Sequence, residues 1–106
     1  HGEYEDKAAG FADLYYEPKH HGIFCNKKNL GLTATELSLL KYMIQSAGSA
    51  ISRDELLNKI WGINAEVETR AADETVSRIR QKMRNVKSKA IISTIWGFGY
   101  KLEVKE

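Results

Sequence analysis

Five cations, Arg70, Arg78, Arg80, Lys82 and Arg84, are concentrated within residues 70–84, with the hydroxyls of Thr75 and Ser77 between them. Side chains of these types hydrogen-bond and neutralise phosphate oxygens, and the counterions released supply affinity for any polyanion. Projected at about 100° per residue, the segment puts Ala72, Val76, Ile79 and Met83 on one apolar side. Ala71, Glu74, Arg78 and Gln81 lie opposite. Arg70, Ser77, Arg80 and Arg84 fall toward one edge of that outer face, and Thr75 and Lys82 toward the other. Two readings of this helix alone stand level: a reading head for a polyanion, and an amphipathic surface helix that is rich in arginine.

The rest of the chain sharpens the contrast. Residues 1–69 carry 7 Lys+Arg against 10 Asp+Glu, whereas residues 70–106 carry 9 against 4. The positive charge therefore belongs to the C-terminal end, which suits a polyanion partner, although a solvated basic face is the commoner source of so modest an excess. Other chemistry is poorly provided for. Of the three histidines, His1, His20 and His21, the last two read as solvated strand or turn residues, and no metal site is expected. Cys25 is the only cysteine and lies in an apolar Ile23-Phe24-Cys25 stretch that reads as a strand, which fits a reducing cytoplasm. No paired carboxylate and no Ser-His constellation is present, so neither an enzyme nor a cofactor is expected.

The 106 residues, 42% hydrophobic and 28% charged, suit one globular domain with one core. No apolar run approaches the roughly 20 residues of a membrane span. Residues 1–10 lack periodicity and read as a linker or an expression remnant, leaving 11–106 as the domain. Between Phe11 and Leu32, apolar clusters alternate with the turn formers Glu17-Pro18-Lys19 and Asn26-Lys27-Lys28-Asn29, which predicts a small antiparallel sheet. Thr33-Ala34-Thr35-Glu36 has the spacing of a capping box, and Leu37, Leu40 and Ile44 continue at helical spacing to Gly48. Ser52-Arg53-Asp54-Glu55 repeats the device ahead of a second helix that stops at Gly62. The basic segment, about 70–84, is the third. Ile91–Trp96 and Tyr100–Val104 are β-rich runs joined by Gly97-Phe98-Gly99, which predicts a hairpin over about 91–104. With no βαβ context, these glycines read as a turn and not as a phosphate-cradling loop.

A second and a third helix joined by a short loop can form a helix-turn-helix, with the third helix lying in a major groove and the hairpin as a wing at the adjacent minor groove or backbone. The residues also resemble a family. Leu32-Thr33-Ala34-Thr35-Glu36-Leu37-Ser38-Leu39-Leu40, Ser52-Arg53-Asp54-Glu55-Leu56-Leu57, Ile60-Trp61-Gly62, Arg70-Ala71-Ala72-Asp73, Ser77-Arg78-Ile79-Arg80-Gln81-Lys82-Met83 and Ile95-Trp96-Gly97-Phe98-Gly99-Tyr100 resemble, in order, the OmpR/PhoB-type effector domain of bacterial two-component response regulators. The resemblance runs from about Asp13 to the C-terminus. It implies an α+β winged helix with an N-terminal four-stranded antiparallel sheet, three helices and a C-terminal hairpin wing, and sequence-specific binding of duplex DNA.

Carried over by position, the resemblance makes Ala71, Glu74 and Arg78 base-facing, which agrees with the outer face derived from periodicity. It assigns phosphate contacts to Trp61, Arg70, Thr75, Ser77, Arg80, Thr94 and Tyr100, to which the charge pattern adds Lys82 and Arg84. Asp73 is expected to orient neighbouring groups, because a bare carboxylate beside phosphates is repelled. Trp96 stands where the family commonly has an arginine entering the minor groove, so minor-groove readout is not expected; Trp96 is read as a partly exposed wing residue that contacts the sugar-phosphate edge or packs on Tyr100 and discriminates little between bases. Glu74, facing bases, can accept from cytosine N4. The resemblance further implies an aspartate-phosphorylated receiver domain and a cognate histidine kinase, tandem dimers on direct-repeat half-sites, RNA polymerase contact through residues 63–69, and a cytoplasmic location. Two other readings of the fold are a winged helix that binds an acidic protein and the cytoplasmic head of a membrane-anchored regulator.

Overall fold

Four short strands open the fold: β1 (Ala9–Phe11), β2 (Leu14–Glu17), β3 (Gly22–Cys25) and β4 (Lys28–Asn29), antiparallel and paired in chain order. The structure is a computed structural model and describes residues 7–62 and 70–105. Side chains alternate across a pleated strand. Leu14 and Tyr16 of β2 therefore point into the core beside their partners Cys25 and Ile23, while Tyr15 between them is exposed. A single 3-10 turn, Pro18–His20, joins β2 to β3. β1 starts inside the segment read as linker. Ala9 and Gly10 have no periodicity of their own and become a strand only by pairing with Tyr16 and Tyr15.

Helix α1 (Ala34–Gln45) starts where expected. The Thr33 hydroxyl accepts from the Glu36 amide at 3.3 Å and the Glu36 carboxylate accepts from the Thr33 amide at 3.0 Å. It buries Leu39, Leu40, Met43 and Ile44. After the two-residue strand β5 (Ile51–Ser52), α2 (Arg53–Leu56) is capped by the Ser52 hydroxyl and widens into a π turn over Leu57–Trp61 that ends at Gly62. The periodicity reads this stretch as one regular helix. Residues 63–69 lie outside the described residues. The basic segment is α3 (Arg70–Asn85), whose stripe Ala72, Val76, Ile79 and Met83 is buried against the core.

The chain closes with β6 (Ala90–Ile95) and β7 (Gly99–Val104), paired from Ala90↔Val104 to Ile95↔Gly99 around the turn Trp96-Gly97-Phe98. The hairpin is not isolated. β5 pairs with β7 (Ile51↔Tyr100, Ser52↔Gly99), giving a three-stranded sheet in the order β5-β7-β6. This pairing requires glycine at position 99, where a Cβ would lie 2.0 Å from the Ile51 carbonyl oxygen. The two sheets and three helices share one core, with Leu14, Tyr16, Leu39, Met43, Leu56, Ile79 and Leu102 at its centre.

Candidate nucleic-acid interface

The hairpin is fastened to α3 by polar side chains. Asp73, in the first turn of α3, accepts from the Arg53 Nε at 2.8 Å and from the Tyr100 hydroxyl, so one carboxylate holds α2, α3 and β7 together. Burial pushes the Asp73 carboxyl up, but the bonds from Tyr100 and Arg53 outweigh it and hold the group below the ordinary carboxylate range. Burial and the facing carboxylate push the Tyr100 phenol up. Two turns further along α3, Arg80 donates to the Ile92 carbonyl through Nε (2.9 Å) and Nη2 (2.6 Å) and to the Thr94 hydroxyl through Nη2 (2.9 Å). Its guanidinium lies 5.4 Å from the centre of the Tyr100 ring. Wing and helix are thus joined at two levels. Asp73 has the orienting surroundings expected of it, and Arg53, which the sequence reading did not single out, is its partner.

Beyond this brace, the outer face of α3 is open. Glu74, Ser77, Arg78, Gln81 and Arg84 are exposed and Ala71 is half-buried among them. Ala71, Glu74 and Arg78 share the wall of a hollow of about 340 Å³ with Trp61, from the end of the π turn, and with Thr33 and Thr35, from the start of α1. The structure therefore brings the three base-facing candidates together with two phosphate-contact candidates, Trp61 and Thr75. Arg70 and Glu74 form an exposed i,i+4 pair at 4.0 Å. Such a pair is weak enough to exchange for a ligand. Arg84 leans on the Gln81 side-chain oxygen at 2.8 Å and remains exposed.

Three expected phosphate contacts are placed differently. Thr75 and Lys82, seven residues apart, sit on the edge of α3 that packs against α1, not on an open flank. Thr75 is only 4% exposed and returns its hydroxyl proton to the Ala71 carbonyl at 2.8 Å. Lys82 is paired with Glu36, itself 2% exposed, and donates to the Gly31 carbonyl at 3.0 Å. Burial pushes the Glu36 carboxyl up, and Lys82 and the Thr33 amide outweigh it and hold the group low. Tyr100 is 4% exposed with its hydroxyl on Asp73. These three side chains are engaged within the fold, Thr75 on its own helix, Lys82 between α3 and α1, and Tyr100 between β7 and α3. Arg80 is partly in the same position, since Nε and Nη2 are engaged and only Nη1 has no partner among the described residues.

The wing tip is apolar. Trp96 is 90% exposed and Phe98, which the sequence reading passed over, is 48% exposed. The turn is closed by the Phe98 amide donating to the Ile95 carbonyl at 2.9 Å, with Gly97 at φ +76°. A core role for Trp96 is thereby excluded. Elsewhere, Cys25 is buried, and burial together with Asp13 pushes its thiol up, away from nucleophilic reactivity. Among the described residues no group of three His, Cys, Asp or Glu could hold a metal ion, and no helix is long and apolar enough to cross a membrane.

Residues 27–102, from β3–β4 through the brace to β7, match the family model described as "Transcriptional regulatory protein, C terminal". The chain belongs to that family, the OmpR/PhoB-type effector domains. The family is one of transcription-factor domains and not of enzymes. The chain is 33% identical over 97 residues to the transcriptional regulatory protein SrrA of Staphylococcus aureus, a match covering 90% of this chain and 40% of that protein. It thus spans 40% of the length of the curated relatives it matches first. Among solved structures, the DNA-binding domain of Bacillus subtilis CssR superposes with a TM-score of 0.74 at 30% identity, covering 85% of this chain and 99% of that one. The DNA-binding domain of the response regulator AdeR, crystallised with an intercistronic region, superposes at 0.81 with 25% identity, covering 90% and 98%. The fold is the winged helix of these domains.

Proposed function

We propose that this domain binds duplex DNA sequence-specifically as the effector part of a response-regulator transcription factor. The observation that carries this reading is the outer row of exposed Glu74 and Arg78 with half-buried Ala71 on a helix braced to a wing. A helix that enters a major groove needs an open polar face and a fixed angle, and α3 has both. Arg78 is suited to a bidentate contact to guanine and Glu74 to cytosine N4. Trp61, Arg70, Ser77, Arg84, the Thr94 hydroxyl and the Nη1 donors of Arg80 are the phosphate-contact set, with Trp96 at the wing. The relatives are bacterial transcription regulators, and AdeR's domain was crystallised with DNA, which supports the same partner here.

The finer reading comes from the family. The domain follows a receiver phosphorylated by a histidine kinase in the cytoplasm, binds direct-repeat half-sites as a tandem dimer, and meets RNA polymerase through residues 63–69. Selection of bound duplexes from a random pool, followed by titration at several salt concentrations, tests the DNA reading. Each phosphate neutralised adds about 0.9 to the slope of log affinity against log salt. An enriched motif bound with a slope of several units is the expected result. No enrichment, or affinity unchanged between low and high salt, overturns the proposal and leaves the basic face to an acidic protein.

A further inference from the structure

We propose that Trp96 and Phe98 form an aromatic wedge that presses into the minor groove beside the site read by α3 and opens a deformable base step there. The inference rests on the DNA-binding reading and deepens it, since it assigns the wing a way of reading sequence that needs no charge. Large exposed apolar groups on a monomer mark interaction sites, particularly where they adjoin one another. Here two aromatic rings flank Gly97 at the extremity of the hairpin, with Trp96 90% exposed. The segment Ile95-Trp96-Gly97-Phe98-Gly99 holds no charge. Such a tip has no charge to draw it to a phosphate ridge, and its indole offers only a single N–H donor. Apolar side chains carried into a minor groove act between base steps, unstacking them and bending the duplex.

The position of the tip argues for DNA over another apolar partner. The Phe98 carbonyl accepts from the Arg53 amide at 3.1 Å, at the start of α2, which fixes the base of the turn to the helix-turn-helix. Two residues on, Tyr100 is bound to Asp73 at the start of α3. The wing therefore meets whatever duplex α3 occupies, and in a set orientation. Because the hairpin is already paired up to Ile95↔Gly99, insertion requires little ordering of the protein. A wedge discriminates by the ease with which a step is opened. Pyrimidine–purine steps, TA above all, kink most readily, and A-tracts resist.

The test uses a duplex carrying the selected motif, with either TA or AA at the step under the wing and 2-aminopurine beside it. Bending is read by energy transfer between end-labelled dyes. The wild-type domain is expected to bend the duplex, brighten the 2-aminopurine and bind the TA duplex on the order of 10-fold more tightly, a typical effect of one base pair. Trp96→Ala with Phe98→Ala should keep binding through α3 while losing the bend, the brightening and the TA preference. Trp96→Leu, which keeps an apolar wedge, should retain part of each. Both residues are exposed, so melting curves should match the wild type. Wild-type binding without bending, or the same bend in the double variant, overturns the wedge alone. Self-association without DNA that the double variant abolishes, with bending unchanged, assigns the tip to a second copy. Failure to bind any duplex removes the DNA reading and the wedge together.

Discussion

The hydroxyl of Tyr100 donates to the carboxylate of Asp73, which ties the strand that leaves the wing to the first turn of α3. Arg53 donates to the same carboxylate, so an acidic residue on the basic helix is already satisfied from two sides. This resolves why a carboxylate can sit at the face that would meet phosphates. Its charge is spent on Arg53, and its geometry sets the angle between helix and wing.

Tyr100→Phe separates this bracing role from a direct phosphate contact. Removing one hydrogen bond to a charged group should cost about 1 to 3 kcal/mol of stability. The free protein should therefore melt lower, and DNA affinity should fall with it. If the melting temperature is unchanged and only DNA affinity falls, Tyr100 acts on phosphate and the brace is unimportant.

Arg78→Ala should weaken binding to the selected duplex by about 1 to 3 kcal/mol and binding to random duplex much less, as expected for a contact to guanine. Because Arg78 is exposed, its loss should leave stability within about 0.5 kcal/mol of the wild type. Equal losses on both duplexes would make it a backbone contact.

Lys82→Ala leaves Glu36 buried with its main cationic partner gone. The expected cost is about 1 to 3 kcal/mol of stability, for an unsatisfied polar group inside the fold. Adding Glu36→Gln removes the stranded charge while keeping an oxygen for the Thr33 amide, so the double variant should recover part of the loss. Comparison by urea denaturation checks both values. A Lys82→Ala variant that is as stable as the wild type but weak on DNA would return Lys82 to the phosphate-contact set.

Acid should unfold the domain through three carboxylates. Asp13, Glu36 and Asp73 each experience burial that raises their pKa and hydrogen bonds that lower it further, and the net direction is down. Each also joins separate elements: Asp13 accepts from the Ser88 hydroxyl and the Lys89 amide, both at 2.7 Å, between α3 and β6. A depressed folded pKa contributes stability that is complete above the unfolded value, about 4, and lost as pH falls through the folded value. The melting temperature should be level from about pH 8 to pH 5 and fall steeply below about pH 4. Asp13→Asn should flatten the acid limb. A decline already present near pH 6 contradicts this account.

What could be read from the chain alone follows the range of the interactions. The capping box at Thr33 and Glu36, the apolar stripe of α3 and the reversal at Gly97 are local patterns, and each appears where the residues indicate. β5 does not show itself, because Ile51 and Ser52 become a strand only through Tyr100 and Gly99, far along the chain. The edges of α3 were equally illegible. Periodicity puts Thr75 and Lys82 on one edge but says nothing about which edge α1 covers, and the deciding contact, Lys82 to Glu36, spans 46 residues. The exposure of Glu74 and Arg78 is legible because a face opposite a strong apolar stripe stays outside whatever packs at its sides, whereas Ala71, lining the same hollow as Trp61, is half-buried.

Trp96→Arg puts a charge where the domain has an indole. With Trp96 90% exposed, no charge becomes buried, so stability should stay within about 0.5 kcal/mol of the wild type. A guanidinium on the wing gains the electronegative minor groove that an indole cannot use, since indole offers one N–H donor and no charge. Affinity should rise most on duplexes with a narrow A·T-rich groove beside the motif. The salt slope should steepen by about one unit, the mark of one more neutralised phosphate equivalent. The gain in charge comes with loss of the wedge, so preference should move from a TA step toward an A-tract and the bend should diminish. Titrations on the TA and A-tract duplexes at two salt concentrations measure both effects. Unchanged preference and slope with the fold intact would place the wing tip away from the minor groove.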